Sequence, residues 1–129
     1  MTFTNLAPFN QKLRDSGKTL TERQFMLMLR KVGLELLSGI VFRTRVKTGR
    51  ARGNWQVSIN NPITTETENV DTAGSSTISS GGSVIATLSN MTLAQIEKIF
   101  ITNNVKYITK LEEMDGMVNL TLARIGTIF

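Results

Sequence analysis

A row of apolar residues at spacings of three and four constrains the fold of this chain more than any other feature. This period places the side chains on one face of an α-helix. Thr21 and Glu22 precede the row, and they supply a helix-capping hydroxyl and an acid that favours the positive end of the helix dipole. The sequence therefore predicts a long amphipathic helix over residues 21–43. Its apolar face comprises Phe25, Met28, Leu29, Val32, Leu36, Leu37 and Ile40.

Two later segments are typical of β-strands. Trp55, Val57 and Ile59 alternate with polar residues, which is the period of a half-buried strand. The segment 98–103, "KIFITN", is rich in β-branched and aromatic residues. Together with the long helix, these segments predict an α+β fold: one long amphipathic helix packed on a small antiparallel β-sheet.

Short helices and one long polar connection complete the prediction. Residues 83–96 carry a helical stripe, and residues 105–113 form a short helix with Tyr107 and Leu111 facing inward. The apolar residues of the last segment, 116–129, fit either a strand or a helix. Residues 61–83 are predominantly polar, which indicates a polar arm, an exposed hairpin or disorder. Residues 1–18 are predicted to form an N-terminal segment with a short helix around residues 9–13.

Length and composition exclude several functional classes. The 129 residues are predicted to form a single domain, and no apolar run approaches the roughly 20 residues of a membrane span. The chain has no cysteine and no histidine, so disulfides, a thiol nucleophile and a histidine base are absent. We therefore predict that the protein is not an enzyme and that it has no cofactor, metal site or membrane partner.

Three carboxylates form the one acidic cluster of the sequence, Glu112, Glu113 and Asp115. Such a group can support acid–base chemistry or hold Mg²⁺, but both need further converging groups. The alternative is a charged helix end, and this is the interpretation that we favour.

Charge is distributed unevenly along the chain. Residues 1–52 carry a net charge of +8, and residues 53–129 carry −3. This asymmetry favours a polyanionic partner, or docking of a basic face of one copy on an acidic face of another. An uneven but merely solvated surface is the third interpretation. The basic residues that cluster are Arg43, Arg45, Lys47, Arg50 and Arg52, and the candidate acidic counterparts are Glu112, Glu113 and Asp115.

The stretch "KTGRARG", residues 47–53, is called the basic turn below. Gly49 and Gly53 are predicted to permit a reversal from helix to strand, and Trp55 to anchor that strand in the core. Arg50 and Arg52 are then expected to point outward. The turn lacks the spacing of a phosphate-binding loop. Stacking of Trp55 on a nucleic-acid base is the alternative to its burial.

Four segments in this order carry a resemblance: "TGRARGNWQVS", "DTAGSSTI", "IFITNNVKYITKLE" and "GMVNLT". They resemble the tail-completion or neck proteins of long-tailed bacteriophages, the minor tail protein Z-like family. The match covers roughly residues 20–122. Arg45 and Lys47 stand where the family usually has proline and an acid, and "EMDG" replaces a longer serine-rich loop.

The resemblance implies a structural role in the virion, with no enzymatic activity. Such proteins join the finished tail to the DNA-filled head, usually as a ring with six subunits expected. Implied partners are further copies of the chain, the tail terminator or tail tube protein, the head–tail connector or stopper proteins, and double-stranded DNA that passes through. The protein would be found in the virion tail or neck, and in the host cytoplasm during assembly.

The size of the chain is compatible with such a ring. A globule of this length has a radius of about 18 Å, so six in contact leave an opening of about 36 Å, enough for one duplex. The basic cluster would then face either the DNA or the next subunit. A free-standing basic nucleic-acid-binding protein is the alternative function.

Overall fold

The computed structural model describes residues 2–3 and 21–126, and it confirms the α+β class. The predicted helix around residues 9–13 lies outside these residues, as does most of the N-terminal segment 1–18. Two short 3₁₀ turns, Thr87–Asn90 and Leu93–Gln95, also occur. The elements in chain order are β1 (Thr2–Phe3), α1 (Glu22–Arg43), α2 (Arg50–Gly53), β2 (Gln56–Ile59), α3 (Ser75–Ala86), β3 (Ile99–Thr102), α4 (Ile108–Asp115) and α5 (Met117–Gly126).

Helix α1 has the predicted boundaries and supplies the centre of the core. The hydroxyl of Thr21 accepts a hydrogen bond from the Gln24 amide, and the Gln24 side chain accepts one from the Thr21 amide. This reciprocal arrangement satisfies amide groups that a helix start otherwise leaves unpaired. Helices α3 and α5 both pack against α1. The buried residues of α1 are Met26, Val32, Gly33, Leu36, Leu37, Ile40 and Val41.

A three-stranded antiparallel sheet has the order β1–β3–β2. Val57 lies opposite Ile101 in the register of β2 and β3, and both side chains are buried. The predicted alternation is therefore confirmed at Trp55 and Val57, which are buried, whereas Ile59 is partly buried. Trp55 precedes β2 and is only 2% exposed, which favours the core position over base stacking.

The polar connection is shorter than the sequence indicated. Residues 61–74 have no regular structure, but residues 75–83 belong to α3. Gly81 explains this difference, because an added Cβ there would lie 2.9 Å from the Val57 side chain and would also contact Leu37. Small residues thus let α3 pack closely on α1 and β2. The helical stripe predicted over 83–96 is also interrupted, since α3 ends at Ala86.

The C-terminal part forms two short helices. The last segment is helical as α5, which settles the choice between strand and helix for Met117–Gly126. The carboxylate of Glu112 accepts hydrogen bonds from the amides of Val118 and Asn119, at 3.0 and 3.1 Å. This carboxylate therefore satisfies the amides at the start of α5, where a negative charge is favourable.

The expectation that Tyr107 belongs to the core is wrong. Its side chain is 43% exposed. Tyr107 lies just before α4, which begins at Ile108, and Ile108 takes the buried position. Val105 is also buried, and Leu111 is partly buried as predicted. Among residues 2–3 and 21–126, no helix has the length and apolar character to cross a bilayer.

Candidate functional site

The basic turn is held under the connection between β2 and α3, residues 61–74, which we call the strap. Gly49 has a φ of 89°, and its carbonyl oxygen accepts hydrogen bonds from the amides of Gly53 and Asp71. A Cβ at Gly49 would lie 2.9 Å from the amide nitrogen of Thr72. Both the left-handed backbone and the close approach of the strap therefore require glycine at this position.

Gly53 lets the strap approach the other end of the turn closely, because a Cβ there would lie 2.8 Å from the Asn69 carbonyl oxygen. Trp55 fixes the turn to α1. Its indole nitrogen donates to the hydroxyl of Thr44 at 2.8 Å, and that hydroxyl donates to the Ile40 carbonyl at 2.7 Å. The predicted structural roles of the two glycines and the tryptophan agree with this geometry.

Arg52 does not project freely outward as expected. Its guanidinium donates to the carbonyl oxygens of Thr44, Phe42 and Thr72, at distances between 2.7 and 3.2 Å. The carbonyl groups at the end of α1 have no partner within the helix, and a planar guanidinium can reach several of them at once. Arg52 therefore joins the end of α1 to the strap.

The other predicted basic residues also have partners within the chain. Arg50 forms an ion pair with Glu66 of the strap, and this hydrogen bond raises the pKa of the arginine. Arg43 donates to the Gly39 carbonyl and to the Thr121 hydroxyl. Lys47 is exposed, with no hydrogen-bond or ion-pair partner among the residues that the structure describes.

Arg45 pairs with Asp115 through two hydrogen bonds of 2.7 and 3.1 Å. One predicted basic residue and one predicted acidic residue thus bind each other within one subunit. Of the other two acids, Glu112 caps α5 and Glu113 is exposed. The three carboxylates do not converge. No group of three or more potential metal-ligating side chains occurs within residues 2–3 and 21–126.

Three asparagines connect the turn to its surroundings, and two of them, Asn54 and Asn103, are buried. The amide of Asn103 donates to the Ala51 carbonyl at 2.7 Å. Asn54 donates to the Arg50 carbonyl and accepts from the Thr67 amide, both at 2.8 Å. Asn104 donates to the strap carbonyls of Ile63 and Thr65. The signal available in the sequence was the pair Asn103–Asn104 directly after a strand.

The strap ends in a cap for helix α3. The carboxylate of Asp71 accepts hydrogen bonds from the amides of Gly74 and Thr77 and from the Thr77 hydroxyl, at 2.7–2.9 Å. These bonds, those from Thr77 first, lower the pKa of Asp71. The strap is thus fixed at both ends and in its middle, and it presents one ordered surface.

Comparison with protein-family models, with curated protein sequences and with solved structures found no match to this chain.

Proposed function

We propose that this protein is a structural subunit of the head–tail joining region of a long-tailed bacteriophage. In this proposal several copies form a ring, with six expected, at the head-proximal end of the tail or in the neck. The ring lines the conduit through which the double-stranded genome passes. Its neighbours are the tail terminator or tail tube protein on one side and the connector or stopper proteins on the other.

One observation carries the proposal: three of the four segments with the phage resemblance meet at the basic turn, and the fourth is joined to the third. Gly49 of the first segment accepts a hydrogen bond from Asp71 of the second, and Ala51 accepts one from Asn103 of the third. Glu112, which ends the third segment, caps the helix that contains the fourth. Segments that are far apart in sequence therefore form one structural unit, which supports reading them as a single motif rather than as four chance matches.

The use of the charged side chains favours a structural role. Arg45, Arg52 and Asp115 stabilise the subunit through internal hydrogen bonds. The exposed charge that remains near the turn includes Lys47 and the half-exposed Arg45 and Arg50. In the proposed conduit these cations meet phosphate groups without reading the base sequence, because the genome must slide past them.

The alternative, a free-standing basic nucleic-acid-binding protein that uses the basic turn, has less support from the geometry of that turn. Such a protein needs a basic surface that is available to phosphates in the monomer. Here Arg50 is paired with Glu66, and Arg52 is engaged by backbone carbonyls.

The location of the protein in the particle tests the proposal. Purified virions carrying an epitope tag on this chain would be labelled with gold-conjugated antibody and imaged by electron microscopy. We expect gold at the junction of head and tail, with untagged virions as the control. Labelling of the distal tail tip, or absence of the chain from purified virions, would contradict the proposal.

A further inference from the structure

Helix α1 exposes a straight row of apolar side chains that the core does not use. Leu27, Leu34 and Phe42 are 52%, 40% and 58% exposed. Lys31 and Ser38 lie between them, so the five residues follow one another at spacings of four, three, four and four. This spacing places all five on one line along the helix, which we call the stripe. An exposed apolar row of this length is typical of an interaction surface.

A groove extends the stripe sideways, between α1 and α5. Its volume is about 670 Å³, and its walls include Leu34 and Phe42 from the stripe together with Gly39 and Ile125. Thr121 approaches Gly39 closely, since a Cβ on that glycine would lie 2.6 Å from the threonine methyl group. The groove therefore offers an apolar side chain contacts with Leu34, Phe42 and Ile125, beside polar lining residues that include Glu35, Arg43 and Arg124.

Cations predominate at the stripe and groove: Lys31 lies on the stripe, and Arg43 and Arg124 line the groove together with one acid, Glu35. Helices α1 and α5 together contain five basic residues, Arg23, Arg30, Lys31, Arg43 and Arg124, and two acids, Glu22 and Glu35. The strap has the opposite charge: residues 61–74 contain the acids Glu66, Glu68 and Asp71 and no basic residue. The strap also presents an apolar side chain, Val70, which is 61% exposed.

The strap is already ordered in the single subunit. Asn54 and Asn104 hold its first half, and Arg52 holds its end. Docking of a preordered segment costs less conformational entropy than docking of a flexible arm. The strap thus has the properties that a partner for the stripe needs: fixed shape, negative charge and an exposed apolar residue.

We propose that the stripe and groove of one copy bind the strap of the next copy. Val70 enters the groove, and the strap carboxylates face the basic residues of α1. This inference rests on the proposed ring and specifies the contact between its subunits. Because the two surfaces differ, the contact is head-to-tail, and a bound pair still offers one free stripe and one free strap, as closure of a ring requires.

Two variants with complementary defects test this contact. The stripe variant is Leu27→Glu/Leu34→Glu, and the strap variant is Glu68→Lys/Val70→Lys. All four residues are exposed, so the fold should be retained, which circular dichroism melting curves would verify. Glu66 is left intact because it pairs with Arg50. Met114→Glu is the matched control, since Met114 is exposed at 54% but lies outside both surfaces.

Sedimentation velocity of each protein alone and of the mixed variants is the measurement. We expect the wild type and Met114→Glu to form species larger than a monomer, and each double variant alone to be monomeric. An equal mixture of the two variants should yield a one-to-one dimer and nothing larger, because only one intact pair of surfaces remains.

Two outcomes would overturn the inference. In the first, the strap variant assembles like the wild type while the stripe variant does not, which means that stripe binds stripe. In the second, the wild type stays monomeric up to its solubility limit. Neither outcome decides the proposed function, because location in the virion is measured separately. Conversely, the mixed variants could form the one-to-one dimer while the chain proves absent from virions. That result would support the contact and reject the joining role.

Discussion

Arg52 shows how a residue that the sequence marks as a surface cation is used inside the subunit. Its guanidinium binds carbonyl oxygens from the end of α1 and from the strap, instead of a carboxylate or a phosphate. Sequence patterns indicated the charge but not the partners, because the three carbonyl groups belong to residues 8–20 positions away. Trp55 could be predicted, since its alternation with polar neighbours already indicated burial.

Replacing Arg52 by lysine tests this role. Lysine keeps the charge but cannot bind three carbonyl groups in the plane of one side chain. We expect Arg52→Lys to lower the free energy of unfolding by about 1–2 kcal/mol, measured by urea denaturation.

Arg50→Lys is the matched control, because Arg50 forms an exposed ion pair of the kind that contributes little to stability. It should change the free energy of unfolding less than Arg52→Lys does. If both variants lost the same free energy of unfolding, the carbonyl contacts of Arg52 would contribute no more to stability than an exposed ion pair does.

At the scale of elements, periodic apolar patterns predicted α1 and β2 correctly, and composition predicted β3, whereas most of α3 was missed. The sequence of α3 is "SSTISSGGSVIA", and serine and glycine have low helix propensity. Its stability depends on the close approach of Gly81 to Val57, a contact between distant residues that has no local signature, and on the capping by Asp71. Asp71 precedes the helix by only four residues and was the one local signal for its start. The prediction that Tyr107 faces inward was also wrong. Helix α4 begins at Ile108 and not at residue 105 as predicted, and Ile108 takes the buried position.

The cap on α3 predicts a specific dependence of stability on pH. The pKa of Asp71 is lowered in the folded state, so its carboxylate stabilises the fold at pH values above the pKa of about 4 that it has when unfolded. This contribution is lost as the pH falls through the lower, folded-state pKa. Asp71→Asn should therefore be less stable than the wild type at pH 7, and the difference should shrink in acid.

Urea denaturation of both proteins between pH 7 and pH 2 would measure this difference. Glu113→Gln serves as the control, because Glu113 is exposed and no capping bond involves it in the described structure. If the difference between Asp71→Asn and the wild type were the same at all pH values, the carboxylate would not be the stabilising group.

At the scale of the molecule, the uneven charge of the sequence is partly compensated by folding. Arg45 and Arg50 of the basic half bind Asp115 and Glu66 of the acidic half. The net charge per half was visible in the sequence, but these pairings join residues 70 and 16 positions apart and depend on the fold. The remaining separation lies between the positive α1 face and the negative strap.

This distribution predicts weak binding of duplex DNA by a single subunit. Affinity for phosphates grows with the number of cations that act together, and a ring brings several copies of the basic turn to one duplex. In fluorescence anisotropy at about 150 mM salt, we expect no saturable binding by the wild type at concentrations where sedimentation shows it to be monomeric. Tight, salt-dependent binding by that monomer would instead favour the free-standing nucleic-acid-binding protein.

Electron microscopy of lysates from the parent phage with this gene disrupted tests the central claim most directly. The proposed joining role predicts DNA-filled heads lying beside complete but unattached tails, and restoration of joined particles when the intact gene is supplied from a plasmid. Normal, infectious virions in the disrupted lysate would contradict the claim.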